Sequence, residues 1–147
     1  MTDAEVAAFL DEQRTLTCAT LGPRGWPHLA PLWFVVRDGR IWAWTFAKSQ
    51  KARVLARDPR ATLQLETGEQ YDQLQGVTFE CDVIVHDELD TVADLGVDIL
   101  RRYTGVAELP DAVVRGIRNQ AAKRVGLEFV ERRRASWDHR KLPAGVY

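Results

Sequence analysis

The sequence is poor in the residues from which metal centres and covalent frameworks are built. Its 147 residues include two cysteines and three histidines. Cys18 and Cys81 are too few for a disulfide framework or a zinc cluster. His28, His86 and His139 are too scattered for a spaced motif such as H-x-x-x-H, so no metal is expected. A G-x-S-x-G elbow, a P-loop and a G-x-G-x-x-G run are all missing, which removes the usual self-contained catalytic arrangements. An excess of one charge is missing too. Twenty Lys+Arg against 21 Asp+Glu leave a formal net charge of -1, which argues against a nucleic-acid partner. The longest segment free of Asp, Glu, Lys and Arg, Gly25 to Val36, holds His28 and two prolines. It falls well short of the roughly 20 apolar residues that a membrane span needs. The acidic opening Met1-Thr2-Asp3-Ala4-Glu5 has no apolar signal core and predicts a cytoplasmic chain.

What remains is a composition, 46% hydrophobic and 28% charged, that suits one globular domain over residues 1–147. Four of its five tryptophans, Trp26, Trp33, Trp42 and Trp44, crowd into one short stretch. Thr2 and Glu5 form a capping box for a helix running to Arg14, with Val6, Phe9 and Leu10 on one face. Thr15 to Leu21 reads as a strand, Gly22-Pro23-Arg24-Gly25 as a turn, and Trp26 to Val36 as a second strand with Pro27 and Pro31 marking an edge or bulge. Arg37-Asp38-Gly39 makes a tight turn into Ile41 to Phe46. A short helix over Lys48 to Arg57 stops at Asp58-Pro59. Strands follow at Ala61 to Glu66 and from Val77 to His86, where Val77, Phe79, Cys81, Val83 and Val85 share a face. Helices over Leu89 to Tyr103 and Pro110 to Arg124 precede a closing extended segment, Val125 to Trp137. The pattern predicts a mainly β fold, a small barrel with peripheral helices. Cys81 reads as core, Glu80 and Asp82 as a solvated face, and Arg132-Arg133-Arg134 as a solvated outer edge. Trp26 and at least one of Trp42 and Trp44 read as packing.

One segment carries a chemical argument. Phe46-Ala47-Lys48-Ser49-Gln50-Lys51 runs from a strand into a helix start with Ser49 as N-cap. Lys48 and Lys51 sit where cations oppose the helix dipole. A bound phosphate or carboxylate, held by the Ser49 hydroxyl, backbone amides and the Lys51 ammonium, would account for them. So would a capped surface helix with solvated lysines, and the residues alone leave both open. Leu32, Trp33, Trp42, Trp44 and Phe46 supply either an apolar wall for a flat ring or ordinary core, and core is the commoner use of such a stripe.

At these residues the chain resembles the pyridoxamine 5'-phosphate oxidase-like split β-barrel superfamily. The matching pattern is Trp44-Thr45, Ser49, Lys51, Leu55 and Asp58-Pro59-Arg60-Ala61-Thr62-Leu63, followed by the strand at Gly76 and the closing Trp137-Asp138-His139-Arg140-Lys141-Leu142. The resemblance implies a homodimeric, FMN-binding-like split barrel whose Thr45, Ser49 and Lys51 contact a cofactor phosphate. Members acting as FMN-dependent pyridoxamine phosphate oxidases carry Arg and Lys where Leu29 and Phe34 stand, together with a C-terminal arginine motif that is missing here. The pattern is closer to the flavin/deazaflavin oxidoreductase B branch, which uses coenzyme F420, although Val54 replaces an Asn frequent in that branch. By this resemblance Pro31, Leu32 and Trp33 face the deazaflavin, and Phe46, Ala47, Lys48 and Gln50 are further cofactor-binding residues. Tyr71, in a segment ending at Gly76, closes the slot from its own or a partner chain. The implied activity is hydride transfer from reduced F420 to an electron-poor C=C or C=N group of a small molecule, with no assigned proton donor. The alternatives are an FMN flavoprotein and a non-enzymatic F420- or haem-binding protein.

Overall fold

The computed structural model describes residues 1–143 and Gly145. The predicted capping box is present: the Thr2 hydroxyl accepts the Glu5 N–H, and the Glu5 carboxylate accepts the Thr2 N–H. Helix α1, Asp3–Glu12, buries Val6, Phe9 and Leu10 but stops short of Arg14. Its final carbonyls are taken from outside, because Arg102 Nη2 donates to Leu10 O at 2.7 Å and Gln13 O at 2.8 Å. Strands β1 (Leu16–Leu21), β2 (Pro27–Leu32), β3 (Val35–Arg37) and β4 (Arg40–Phe46) follow. Then come helix α2 (Gln50–Leu55), strands β5 (Arg60–Thr67) and β6 (Gln75–His86), helices α3 (Leu89–Thr104) and α4 (Asp111–Ala121), and strand β7 (Arg124–Asp138).

The expected single strand over Trp26 to Val36 is in fact two, broken at Trp33-Phe34. The break has a physical cause. The Phe34 N–H donates 2.9 Å to the Tyr103 hydroxyl of α3, so a side chain rather than a neighbouring strand satisfies it. That hydroxyl in turn donates to Arg14 O at 2.6 Å. The turn after β3 takes two residues, Asp38 and Gly39, at φ 49° and 74°, the left-handed pair that a tight hairpin requires.

All seven strands join one antiparallel sheet in the order β2-β1-β5-β6-β7-β4-β3. Curled on itself, this is the split β-barrel. Its inner face packs Leu16, Cys18, Leu63, Val77, Leu127 and Phe129 around Phe34 and α1. The α3–α4 pair fills the connection from β6 to β7 and covers the outer face, where Leu95 and Ile99 meet Val35, Trp42 and Trp44. Strand β4 divides as its alternation predicts: Ile41, Ala43 and Thr45 are buried inward, while Trp42 and Trp44 face α3.

Several local expectations need adjusting. Trp26 does not pack; it is 75% exposed beside the β1–β2 turn. Val85 keeps the inner-face register opposite Leu127 but is 39% exposed, because the buried alternation of β6 ends at Val83. A bulge between Glu80 and Cys81 leaves Arg132 as the extra residue of β7 and bends the long ribbon. Beyond Phe129, β7 no longer pairs with β4, and its arginines lie in solvent on acidic neighbours, Arg132 on Asp82 at 2.6 Å and Arg133 on Glu80 at 3.7 Å. Gly76 is fixed by contact, since a Cβ there would lie 2.1 Å from the Trp137 ring.

Candidate functional site

Helix α2 is six residues long and begins where β4 ends. Ser49 is its N-cap, with extended backbone and its Oγ accepting the Ala52 N–H at 3.2 Å. Thr45 points inward from β4, and its Oγ1 lies 3.3 Å from Ser49 Oγ. Lys51 does not reach outward beside a free helix end, as the sequence suggests. The chain buries it to 6% exposure, with Nζ donating only a long 3.4 Å bond to Thr45 Oγ1. Burial lowers the Lys51 pKa below the usual lysine range, opposed by the nearby Cys18 sulfur. The same burial pushes the Cys18 thiol up to about 11, against the pull of Lys51, so the sulfur is no ready nucleophile. Cys81 is likewise pushed up to about 12, chiefly by burial.

An ammonium has three donors and no acceptor, and a buried one without an anionic partner is expensive. The cluster Thr45–Ser49–Lys51 offers two hydroxyls and that ammonium, a donor set that fits a phosphate oxygen. Lys48 and Gln50 are exposed beside it, and the Ala47 N–H is spent on Lys123 O at 3.0 Å. Phe46 is half exposed, beneath the guanidinium of Arg124 at 4.0 Å.

The other expected site residues fall into two further groups. Pro31, Leu32 and Trp33 line a cleft of about 740 Å³ with Trp44 and the α3–α4 pair. Trp33 is 53% exposed and stacks on Tyr103 with centroids 4.2 Å apart. Tyr71 tilts against His139 at 4.7 Å, and Gly76 pairs with Glu66 and Trp137. Thr45, Ser49 and Lys51 therefore meet within one chain, whereas the cleft and the Tyr71–Gly76 corner are separate places on it. Among the described residues no group of His, Cys, Asp and Glu is placed to hold a metal ion, and no helix is long and apolar enough to cross a membrane.

Three residues outside the sequence reading shape these surroundings. Arg124, expected at a helix end, opens β7 and lies over Trp44 at 4.5 Å. Tyr103 ties α3 to the β2–β3 break. Glu128 is buried in β7, held by Arg40 and by His86 Nε2 at 2.8 Å, while His86 stacks on Trp42.

The pyridoxamine 5'-phosphate oxidase family model matches residues 2–134. The chain belongs to this family. A conserved hypothetical protein from Mycobacterium tuberculosis is 46% identical, with 97% of this chain and 89% of that one aligned and a TM-score of 0.89. An F420 reductase is 17% identical over 87% of this chain and 94% of its own, with a TM-score of 0.65. A FAD-binding protein from Mesorhizobium loti is also 17% identical, over 92% and 94%, with a TM-score of 0.67. At 17% identity these two show the fold alone. Among curated protein sequences none matches the chain. Family membership covers all three groups of site residues except the Trp137–His139 corner that Gly76 and Tyr71 contact.

Proposed function

We propose that this member of the family is an oxidoreductase that binds reduced coenzyme F420 and passes a hydride to an electron-poor C=C or C=N group of a small organic molecule. The observation that carries the reading is the buried Lys51 ammonium between Thr45 and Ser49, which meets no anionic group among the described residues. In this reading Lys51, Ser49 and Thr45 hold the cofactor phosphate, with Phe46, Ala47, Lys48 and Gln50 around it. Pro31, Leu32 and Trp33 orient the ring. The bound deazaflavin supplies the hydride chemistry. The chain's own residues bind, align and exclude water.

Two observations favour a deazaflavin over FMN. Phe34 is fully buried and apolar, and Leu29 is 62% exposed and apolar, so neither provides the cationic contact that the FMN-dependent oxidases place there. The fold of an F420 reductase is among its structural neighbours. FMN remains the second reading, supported by the FAD-binding neighbour of the same fold. We also infer a homodimer. Strand β2 is a sheet edge carrying exposed Leu29 with Trp26 beside it, a surface suited to a second copy, which would bring Tyr71 and Gly76 to the slot.

Parallel titrations of F420 and FMN, repeated with Lys51→Ala, test the reading. F420 should bind more tightly than FMN, and the substitution should weaken it by about 1.5–3 kcal/mol, the scale of a hydrogen bond to a charged group. Equal affinities, or an unchanged affinity in the variant, would overturn the assignment.

A further inference from the structure

The cleft between Trp33, Trp44 and the α3–α4 pair has features that barrel packing does not explain. Its volume of about 740 Å³ is ample for a small organic molecule. Arg124 lines it, its guanidinium 4.5 Å from the Trp44 ring centroid and 4.0 Å from that of Phe46. Among the described residues this guanidinium has no carboxylate partner, and its Nε is buried without any hydrogen-bond acceptor. Burial lowers the Arg124 pKa from its ordinary value, because it takes the charge partly out of water.

Two helical glycines face the same space for different reasons. Gly96 is required by packing, because a Cβ there would lie 2.5 Å from the Trp44 ring and 2.7 Å from Ile117. Gly116, in the middle of α4, meets nothing within 4 Å. A glycine inside a helix costs about 1 kcal/mol relative to alanine, and here no neighbouring atom demands it. An occupant of the cleft would.

We propose that this cleft binds a planar organic anion, its ring against Trp33 and Trp44 and its carboxylate or other anionic group on Arg124. As a second substrate such a molecule would be the hydride acceptor, and that role rests on the function proposed above, since Pro31, Leu32 and Trp33 border both the cleft and the expected ring position. The binding itself does not depend on it. An anion on Arg124 gains a bidentate, charge-assisted contact, while the flanking rings of Trp44 and Phe46 already hold the guanidinium in place. Gly116 leaves the opposite wall open.

The test uses two fluorescent probes with the same rings. One is 1-anilinonaphthalene-8-sulfonate, which is anionic; the other is N-phenyl-1-naphthylamine, which lacks the sulfonate. Binding is read by quenching of tryptophan emission in the whole chain. Arg124→Met keeps a long apolar stem over Trp44 and Phe46, and should weaken the sulfonate probe about tenfold or more while leaving the neutral probe within about twofold. Gly116→Leu should weaken both probes about tenfold while retaining or raising the melting temperature, because it improves helix propensity. Equal weakening of both probes by Arg124→Met, or unchanged sulfonate affinity in both variants, would overturn the proposal. A parallel F420 titration separates the two claims. Loss of F420 binding in Gly116→Leu would make the cleft the cofactor's own site and overturn the proposal. A chain that binds neither F420 nor FMN but shows the predicted probe pattern would overturn the cofactor reading and leave the ligand class of the cleft standing.

Discussion

Two charged residues, Lys51 and Glu128, are buried as whole residues among those described, and the chain treats them in opposite ways. Glu128, in the middle of β7, is held by the Arg40 guanidinium and by His86 at 2.8 Å. Burial pushes its carboxyl up, but those two hydrogen bonds outweigh it and hold the carboxyl below the usual carboxylate range. Lys51, at the start of α2, has one 3.4 Å contact with a hydroxyl and no anionic partner among the described residues. A charge that the fold itself requires comes with its partners. A charge without them among the described residues is the one to which the proposal above gives a bound anion. The comparison therefore separates a structural centre under α3 from the centre beside Ser49 that is proposed to hold a ligand.

Substituting the two residues should break them apart in different measurements. The largest effect is on binding, the loss of about 1.5–3 kcal/mol of cofactor affinity in Lys51→Ala. Next, Glu128→Gln should destabilise the chain by about 1–3 kcal/mol in urea unfolding, because Arg40 and His86 lose their charged acceptor, while cofactor affinity stays unchanged. Lys51→Met should act the other way on stability. It keeps the long stem and removes a buried, unpaired charge, so the empty chain should gain about 1 kcal/mol.

The smallest effects lie in pH dependence, and their signs differ. Glu128 ionises more readily in the folded chain than at its unfolded value of 4.5. Its contribution is fully present above that pH and is lost as pH falls through the folded pKa. Lys51 has a folded pKa below its unfolded value of 10.5. As pH rises through the folded pKa towards 10.5, the empty chain should become more stable at this site and phosphate affinity should fall. Denaturation midpoints and cofactor titrations across both ranges check these trends, and Lys51→Met and Glu128→Gln should each abolish one of them.

Much of this is legible in the sequence, and what is not has a common cause. The capping box at Thr2, the hairpin at Asp38-Gly39 and the inward and outward faces of β4 are local patterns, set by neighbours a few residues away. Ser49 is readable as a cap for the same reason. The break at Trp33-Phe34 is not, because it depends on Tyr103, 69 residues further along. The sequence marks Lys51 as a candidate anion contact but gives no sign of its burial, since that comes from β1 and β4 closing around a very short helix. Arg124 had no local signal at all. Its importance appears only when β7 pairs with β4 and sets it over Phe46 and Trp44. Gly116 did carry one, a glycine in the middle of an otherwise regular helix.

The most direct test of the central claim is a paired melting experiment on the wild-type chain and Lys51→Met, each without ligand and with saturating F420. The account predicts a crossing: the variant melts higher when empty and lower when the cofactor is present. A variant that melts lower in both conditions would make Lys51 a structural residue and contradict the account.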